Sequence, residues 1–157
     1  MDFTDLYRRY APDVHRFALY LSGQRGDADD ITAETFARVW TSPVPLQMAT
    51  VKAYLFTIAR NLHRQGLRGS SRYVALNDDL RDPGLSPYAQ VAQNEQLQHT
   101  LAQLQQLPEL SRAALLMHAV DGVPYEQIAQ ALNLSLPAVK VKIHRARLAL
   151  AGLKNEL

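Results

Sequence analysis

Apolar residues recur at three- and four-residue steps along almost the whole chain, and that rhythm admits only helices. In the first block Phe3, Leu6, Tyr7, Tyr10, Val14, Phe17, Ala18 and Leu21 follow it, interrupted by Pro12, where a kink or restart is expected. Gly23 and Gly26 close that segment. A second helix is predicted from about Asp27 to Thr41, with aspartates in its first turn, where the helix dipole favours negative charge. The prolines at 43 and 45 force a loop, and a third helix follows from about Val51 to Leu67. No convincing alternating strand appears.

Residues 69–88, GSSRYVALNDDLRDPGLSPY, lose the rhythm and gather Ser, Gly, Asp and Pro, as an interdomain linker does. Helical spacing resumes at Leu97, Leu101, Leu104 and Leu107. Pro108 opens the next helix, and Asp121-Gly122 ends it. A short helix, Tyr125 to Leu132, a turn at Asn133–Ser135 and a final helix to about Leu153 complete the pattern. The expected fold is therefore all-α: two small helical domains, 1–69 and 95–157, joined by a flexible linker over 70–94. The first should hold three to four helices and the second four.

Composition narrows the chemistry. The chain has 157 residues and no cysteine, which excludes disulfides, thiolate zinc sites, iron–sulfur clusters and cysteine nucleophiles, and favours a reducing cytoplasm. No apolar run approaches the roughly 18 residues of a membrane span. The opening MDFTDLYRRY lacks the basic-then-apolar order of a secretory signal, so neither export nor membrane insertion is expected. Residues 135–157 carry five Lys/Arg against one acidic residue, while 96–134 carry one against three and 1–68 nine against seven. A basic C-terminal end behind an acidic middle points towards nucleic acid. The five histidines are scattered, and HExxH, GxSxG and glycine-rich phosphate loops are absent. His118, on an apolar helix, reads as a packed histidine, and no metal, cofactor or catalytic group is assigned.

The last two helices have the layout of a helix-turn-helix. Ser135 suits the N-cap, and Pro137 occupies the first turn, where its missing N–H costs nothing. At 100° per residue, Val139, Ile143, Ala146 and Leu150 share one face, which is the one to bury. Pro137, Lys140, Val141, His144 and Leu148 point the opposite way, flanked by Arg145 and Arg147. On such a face Lys140 and His144 are able to donate to purine acceptors, Val141 to touch a thymine methyl, and the arginines to hold phosphates.

On the second helix, Ala28, Ile31, Thr35, Phe36, Val39 and Trp40 line one side, and Asp30, Ala33, Glu34 and Ala37 the other. Small residues beside two carboxylates make a flat acidic patch: a solvated face, a docking surface or a poor divalent-metal site. Physics alone favours the solvated face. The third helix carries Lys52, Arg60, Asn61, Arg64 and Arg68 along a basic edge suited to a phosphate backbone, with Asn61 able to bond a base. The neighbouring loop 41–50 has room for an unstacked base, although an ordinary amphipathic helix would show the same pattern.

Taken in order, LYRRYAPDVHRFA, DADDITAETFARVW, KAYLFTIARNL and LPELSRAALLMHAVDGVPYEQIAQALNLSLPAVKVKIHRAR resemble bacterial extracytoplasmic-function (ECF) sigma factors over nearly the whole chain. The resemblance implies a promoter-melting domain that docks on the clamp helices of core RNA polymerase, and a second domain that reads the −35 duplex beside the polymerase flap. It carries the polymerase contact onto Asp30 and Glu34 with Ala33 and Ala37. It carries −10 recognition onto the loop after Trp40 and onto Asn61 with Lys52, Arg60, Arg64 and Arg68. It carries −35 reading onto Ser135, Pro137, Lys140, Val141, His144, Arg145 and Arg147. An anti-sigma protein covering both DNA-facing surfaces is a further candidate partner.

The chain departs from that family's pattern at four places. Ala33 stands where glutamine is usual, Gln65 replaces an acidic residue, Asn133 replaces the glycine of the turn, and Pro137-Ala138 replaces Gly-Thr. A helix-turn-helix regulator that never joins polymerase is the alternative function, and a helical hydrolase using Asp29, Asp30 and Glu34 with a metal is a third.

Overall fold

The computed structural model describes residues 2–41, 51–66 and 87–155. Among these the chain forms helices and no strand: α1 (Phe3–Ser22), α2 (Arg25–Thr41), α3 (Val51–Arg64), α4 (Pro87–Gln105), α5 (Glu109–Leu115), α6 (Tyr125–Leu132) and α7 (Leu136–Asn155). A single π-helical turn, Leu116–Val120, prolongs α5. The loop at 42–50, most of the polar linker and Arg68 lie outside the described residues.

Local chemistry sets the helix ends. The Asp2 carboxylate accepts the backbone N–H of Asp5 at 2.8 Å and so caps α1. At its other end Gly23 takes φ +75 and donates to the Leu19 carbonyl. A side chain here would be strained by that φ and would also press on the Gln105 side chain at 3.1 Å, so glycine is favoured.

Three expectations are corrected. Helix α1 runs through Pro12 without a restart, because Pro12 and Arg8, whose carbonyl loses its donor, both lie on the exposed side where water substitutes. Helix α4 begins at Pro87 and not near Leu97, since proline at a first helical position forfeits no bond. Trp40, set by its spacing on the apolar side of α2, is 65% exposed. It stands at the last turn of α2, where the Phe3 ring meets it edge-on at 4.8 Å but no further helix among the described residues covers it.

Helices α1, α2 and α3 pack on one another through Val14, Phe17, Leu21, Ile31, Phe36, Leu55 and Phe56, with the Phe17 and Phe56 rings stacked at 4.6 Å. In α2 the buried hydroxyls of Thr32 and Thr35 donate to the Ala28 and Ile31 carbonyls at 2.7 Å, which lets two polar residues enter an apolar face. Helices α4 to α7 form a second module around Leu104, Leu115, Met117, Ile128, Val139 and Ile143. The modules meet: α3 lies against α6, and α1 against α4 and the π turn, so that one apolar cluster runs through both.

Candidate nucleic-acid and polymerase-binding surfaces

The helix-turn-helix is built as its local sequence dictates. Asn133 ends α6 in the left-handed region at φ 56, and the Leu134 N–H closes back on the Ala129 carbonyl at 2.9 Å. Ser135 then caps α7, its hydroxyl accepting the Ala138 N–H at 3.2 Å. That fixes the rotation of α7 about its axis. Val139, Ile143 and Ala146 are buried and Leu150 half-buried, while Ser135, Pro137, Lys140, Val141, His144, Arg145 and Arg147 are all exposed. Every residue the sequence assigned to reading duplex DNA therefore lies on the open surface. Sequence reasoning missed the support behind Lys140: its ammonium lies 5.9 Å from the Tyr125 ring centroid, and Tyr125 in turn stacks on His118 at 4.3 Å. His118 is half-buried and its Nδ1 lies 3.2 Å from the Val123 carbonyl, in keeping with a packing role.

On α2, Ala33, Glu34 and Ala37 are exposed along one line and Asp30 is half-buried beside them. The Glu34 carboxylate lies 3.5 Å from Arg38 Nε one turn on, a weak surface pair that leaves the acid accessible. Asp29 faces the other way, 2.7 Å from His15 Nε2, tying α2 to α1. The exposed Trp40 extends the small-residue line of Ala33 and Ala37.

The basic edge on α3 is divided. Asn61 and Arg64 are exposed and, with Arg38 and Gln65, line a shallow polar cleft. Arg60 is only 8% exposed and forked onto Glu109, with Nε and Nη2 donating to the two carboxylate oxygens at 3.0 and 2.9 Å. Lys52 also turns inward, its ammonium 3.6 Å from Asp13 and 3.5 Å from the Asp121 carbonyl. These two belong to the seam between modules in this structure, whereas the sequence grouped them with Asn61 and Arg64.

The seam has further polar members that sequence reasoning missed. Arg16 donates to Asp121 at 2.8 Å and to Asp13 at 3.2 Å. The Asp121 side chain is 1% exposed, and this burial raises its pKa above the ordinary value against the opposing pull of the Arg16 hydrogen bond. Arg112, also buried, donates to the carbonyls of Leu21, Leu104 and Leu107, and burial lowers its pKa. The only signal for these pairings in the sequence was the acidic balance of 96–134 set against the basic one of 1–68.

The comparisons agree with this geometry. The Sigma-70 region 2 family matches residues 6–73, and the Sigma-70, region 4 family matches residues 98–150. The ECF RNA polymerase sigma factor SigE of Mycolicibacterium smegmatis is 37% identical over 92% of this chain, which spans 58% of that relative. The ECF RNA polymerase sigma factor SigL of Mycobacterium tuberculosis is 32% identical, covering 97% of this chain and 88% of the relative. Among solved structures, the sigma factor RpoE of Bartonella quintana, in complex with the anti-sigma factor NepR, superposes with a TM-score of 0.75 at 25% identity, over 98% of this chain and 97% of that one. The chain belongs to the ECF family of RNA polymerase sigma factors.

Proposed function

We propose that this sigma factor docks on the clamp helices of core RNA polymerase through Asp30, Ala33, Glu34 and Ala37, and directs the enzyme to promoters with a −10 and a −35 element. Residues 1–69 form the melting domain, 70–94 the connection, and 95–157 the −35 domain beside the flap. The observation that carries this reading is the capped helix α7, which buries Val139, Ile143 and Ala146 and turns Lys140, Val141, His144 and Arg145 outwards as a major-groove helix requires. Asn61 and Arg64 supply strand contacts, with Arg38 adding a second cation to that cleft. Opening the −10 region costs a few kcal/mol per flipped base, which pocketed bases and polymerase contacts repay.

Tethering makes two weak contacts act as one, because binding of either module raises the effective concentration of the other at its own element. The chain performs no chemistry of its own and works in the cytoplasm, where its polymerase is. Among the described residues no helix is long and apolar enough to cross a membrane. The relative solved with NepR supports an anti-sigma protein as a partner here too. The test is transcription in vitro from a randomised promoter library with purified core polymerase. Transcripts whose start sites share a bipartite upstream sequence are expected only when the chain is added. Initiation that is absent, or equal without the chain, refutes the reading.

A further inference from the structure

Three elements of the second module each bring one side chain to a common spot beside the exposed face of α7. His118 comes from the π turn, Tyr125 is the first residue of α6, and Lys140 stands on the open side of α7. The His118 and Tyr125 rings stack at 4.3 Å with 23° between their planes, and the Lys140 ammonium lies 5.9 Å from the Tyr125 centroid. The backbone fixes the histidine: its Nδ1 donates to the Val123 carbonyl at 3.2 Å, and the Val123 N–H returns to the Met117 carbonyl at 2.9 Å. A π turn is a rare backbone form that recurs at functional sites, and this one carries the ring that supports the stack. Pro124, extended at φ −62 and ψ 150, then starts α6 with Tyr125 beside that ring. Lysine is a point charge on a flexible four-carbon stem, and among the described residues no carboxylate pairs with Lys140. The ring face is therefore what orients its ammonium.

We propose that His118 and Tyr125 are positioning residues for promoter reading: the stacked pair holds the Lys140 ammonium where α7 meets the base edges, so that it reaches one purine acceptor instead of sampling several. This rests on the reading of α7 as the −35 helix. Neither ring has to touch DNA to act in this way. The ring of Tyr125 is its working part and the hydroxyl is not, because the ammonium meets the ring. Without the ring Lys140 loses side-chain freedom on binding that the stack had already removed. The expected loss of affinity is about two- to fivefold, the size of one exposed cation–π contact.

The test uses holoenzyme assembled with the full chain. Its probe is a labelled duplex of the strongest promoter recovered from the randomised library, with each upstream base pair substituted in turn. Lys140→Ala marks the base pairs that Lys140 reads, as those whose substitution no longer weakens binding. Tyr125→Leu should lose about two- to fivefold on the unsubstituted probe and blunt discrimination at those same base pairs, while Tyr125→Phe, which keeps the ring, binds as wild type. His118→Ala should give a smaller loss at the same positions. In the Lys140→Ala background Tyr125→Leu should weaken binding no further, whereas a merely structural role would lower binding at every base pair and persist without Lys140. Should Tyr125→Leu not fold, His118→Ala takes its place in the cycle with Lys140→Ala, and an additive result there overturns the proposal. If Lys140→Ala flattens discrimination but Tyr125→Leu binds as wild type or more tightly, the stack does not position Lys140 for DNA, and the proposal falls alone. A Tyr125→Phe variant as weak as Tyr125→Leu makes the hydroxyl the working part and also overturns it. If Lys140→Ala changes nothing at any base pair, the reading of Lys140 on α7 falls, and the proposal with it.

Discussion

Replacing Arg112 by methionine keeps most of the aliphatic stem and deletes the guanidinium that joins three carbonyls at the seam. Those of Leu104 and Leu107 lie at 3.1 and 3.2 Å, in the turn that ends α4, and that of Leu21 lies at the end of α1. Two of the three keep a second donor: the Leu107 N–H serves Leu104 at 3.1 Å, and Gln105 serves Leu21 at 3.4 Å. The Leu107 carbonyl has no other donor among the described residues, and Leu107 is buried. An orphaned buried carbonyl costs about 1–3 kcal/mol, and each lost bond to a charged donor adds about 1 kcal/mol or more. Relief from burying a guanidinium returns part of this, leaving a net loss of about 3 kcal/mol. For a chain of this size that lowers Tm by about 6–12 °C, at roughly 2–4 °C per kcal/mol. Thermal and urea unfolding followed by circular dichroism at 222 nm measures it. Arg112→Lys should rescue little, because an ammonium cannot reach the three acceptors from one position. A methionine variant within about 0.5 kcal/mol of wild type would refute the account, since surface substitutions fall in that range.

Glu34→Lys should abolish co-purification with core RNA polymerase while leaving the helical signal unchanged, because the residue is exposed on α2 and supports no packing; retained binding removes Glu34 from the interface. Lys140→Ala with Arg145→Ala should weaken binding to −35 duplex and reduce the log–log salt slope by up to about two units, at roughly 0.9 for each phosphate no longer neutralised. An unchanged slope would mean that α7 does not face DNA. Burial raises the folded-state pKa of Asp121, so its contribution to stability is present below the unfolded carboxylate value and is lost as pH rises through the higher folded one. Urea titrations from neutral pH downwards should therefore show the wild type gaining stability relative to Asp121→Asn; the opposite trend would show that the Arg16 pair outweighs desolvation.

Much of this protein is local and therefore written in its sequence. The Asn133 turn, the Ser135 cap and the buried stripe Val139, Ile143, Ala146 and Leu150 each depend on residues within a few positions of one another, and they fix which side of α7 faces out. The exposed line of Ala33, Glu34 and Ala37 follows from the same periodicity. Periodicity says which face of a helix is apolar, but not which other helix covers it or how far that cover extends. Trp40, grouped by spacing with the apolar side of α2, lies open beside Ala33 and Ala37, and Pro12 is harmless because its side of α1 meets water. The pairing of Arg60 with Glu109 spans 49 positions, and that of Arg112 with the Leu21 carbonyl spans 91. A charge is drawn to whatever opposite charge the packing brings near, so only the docking of the two modules decided that Arg60 and Lys52 serve the seam while Asn61 and Arg64 stay open.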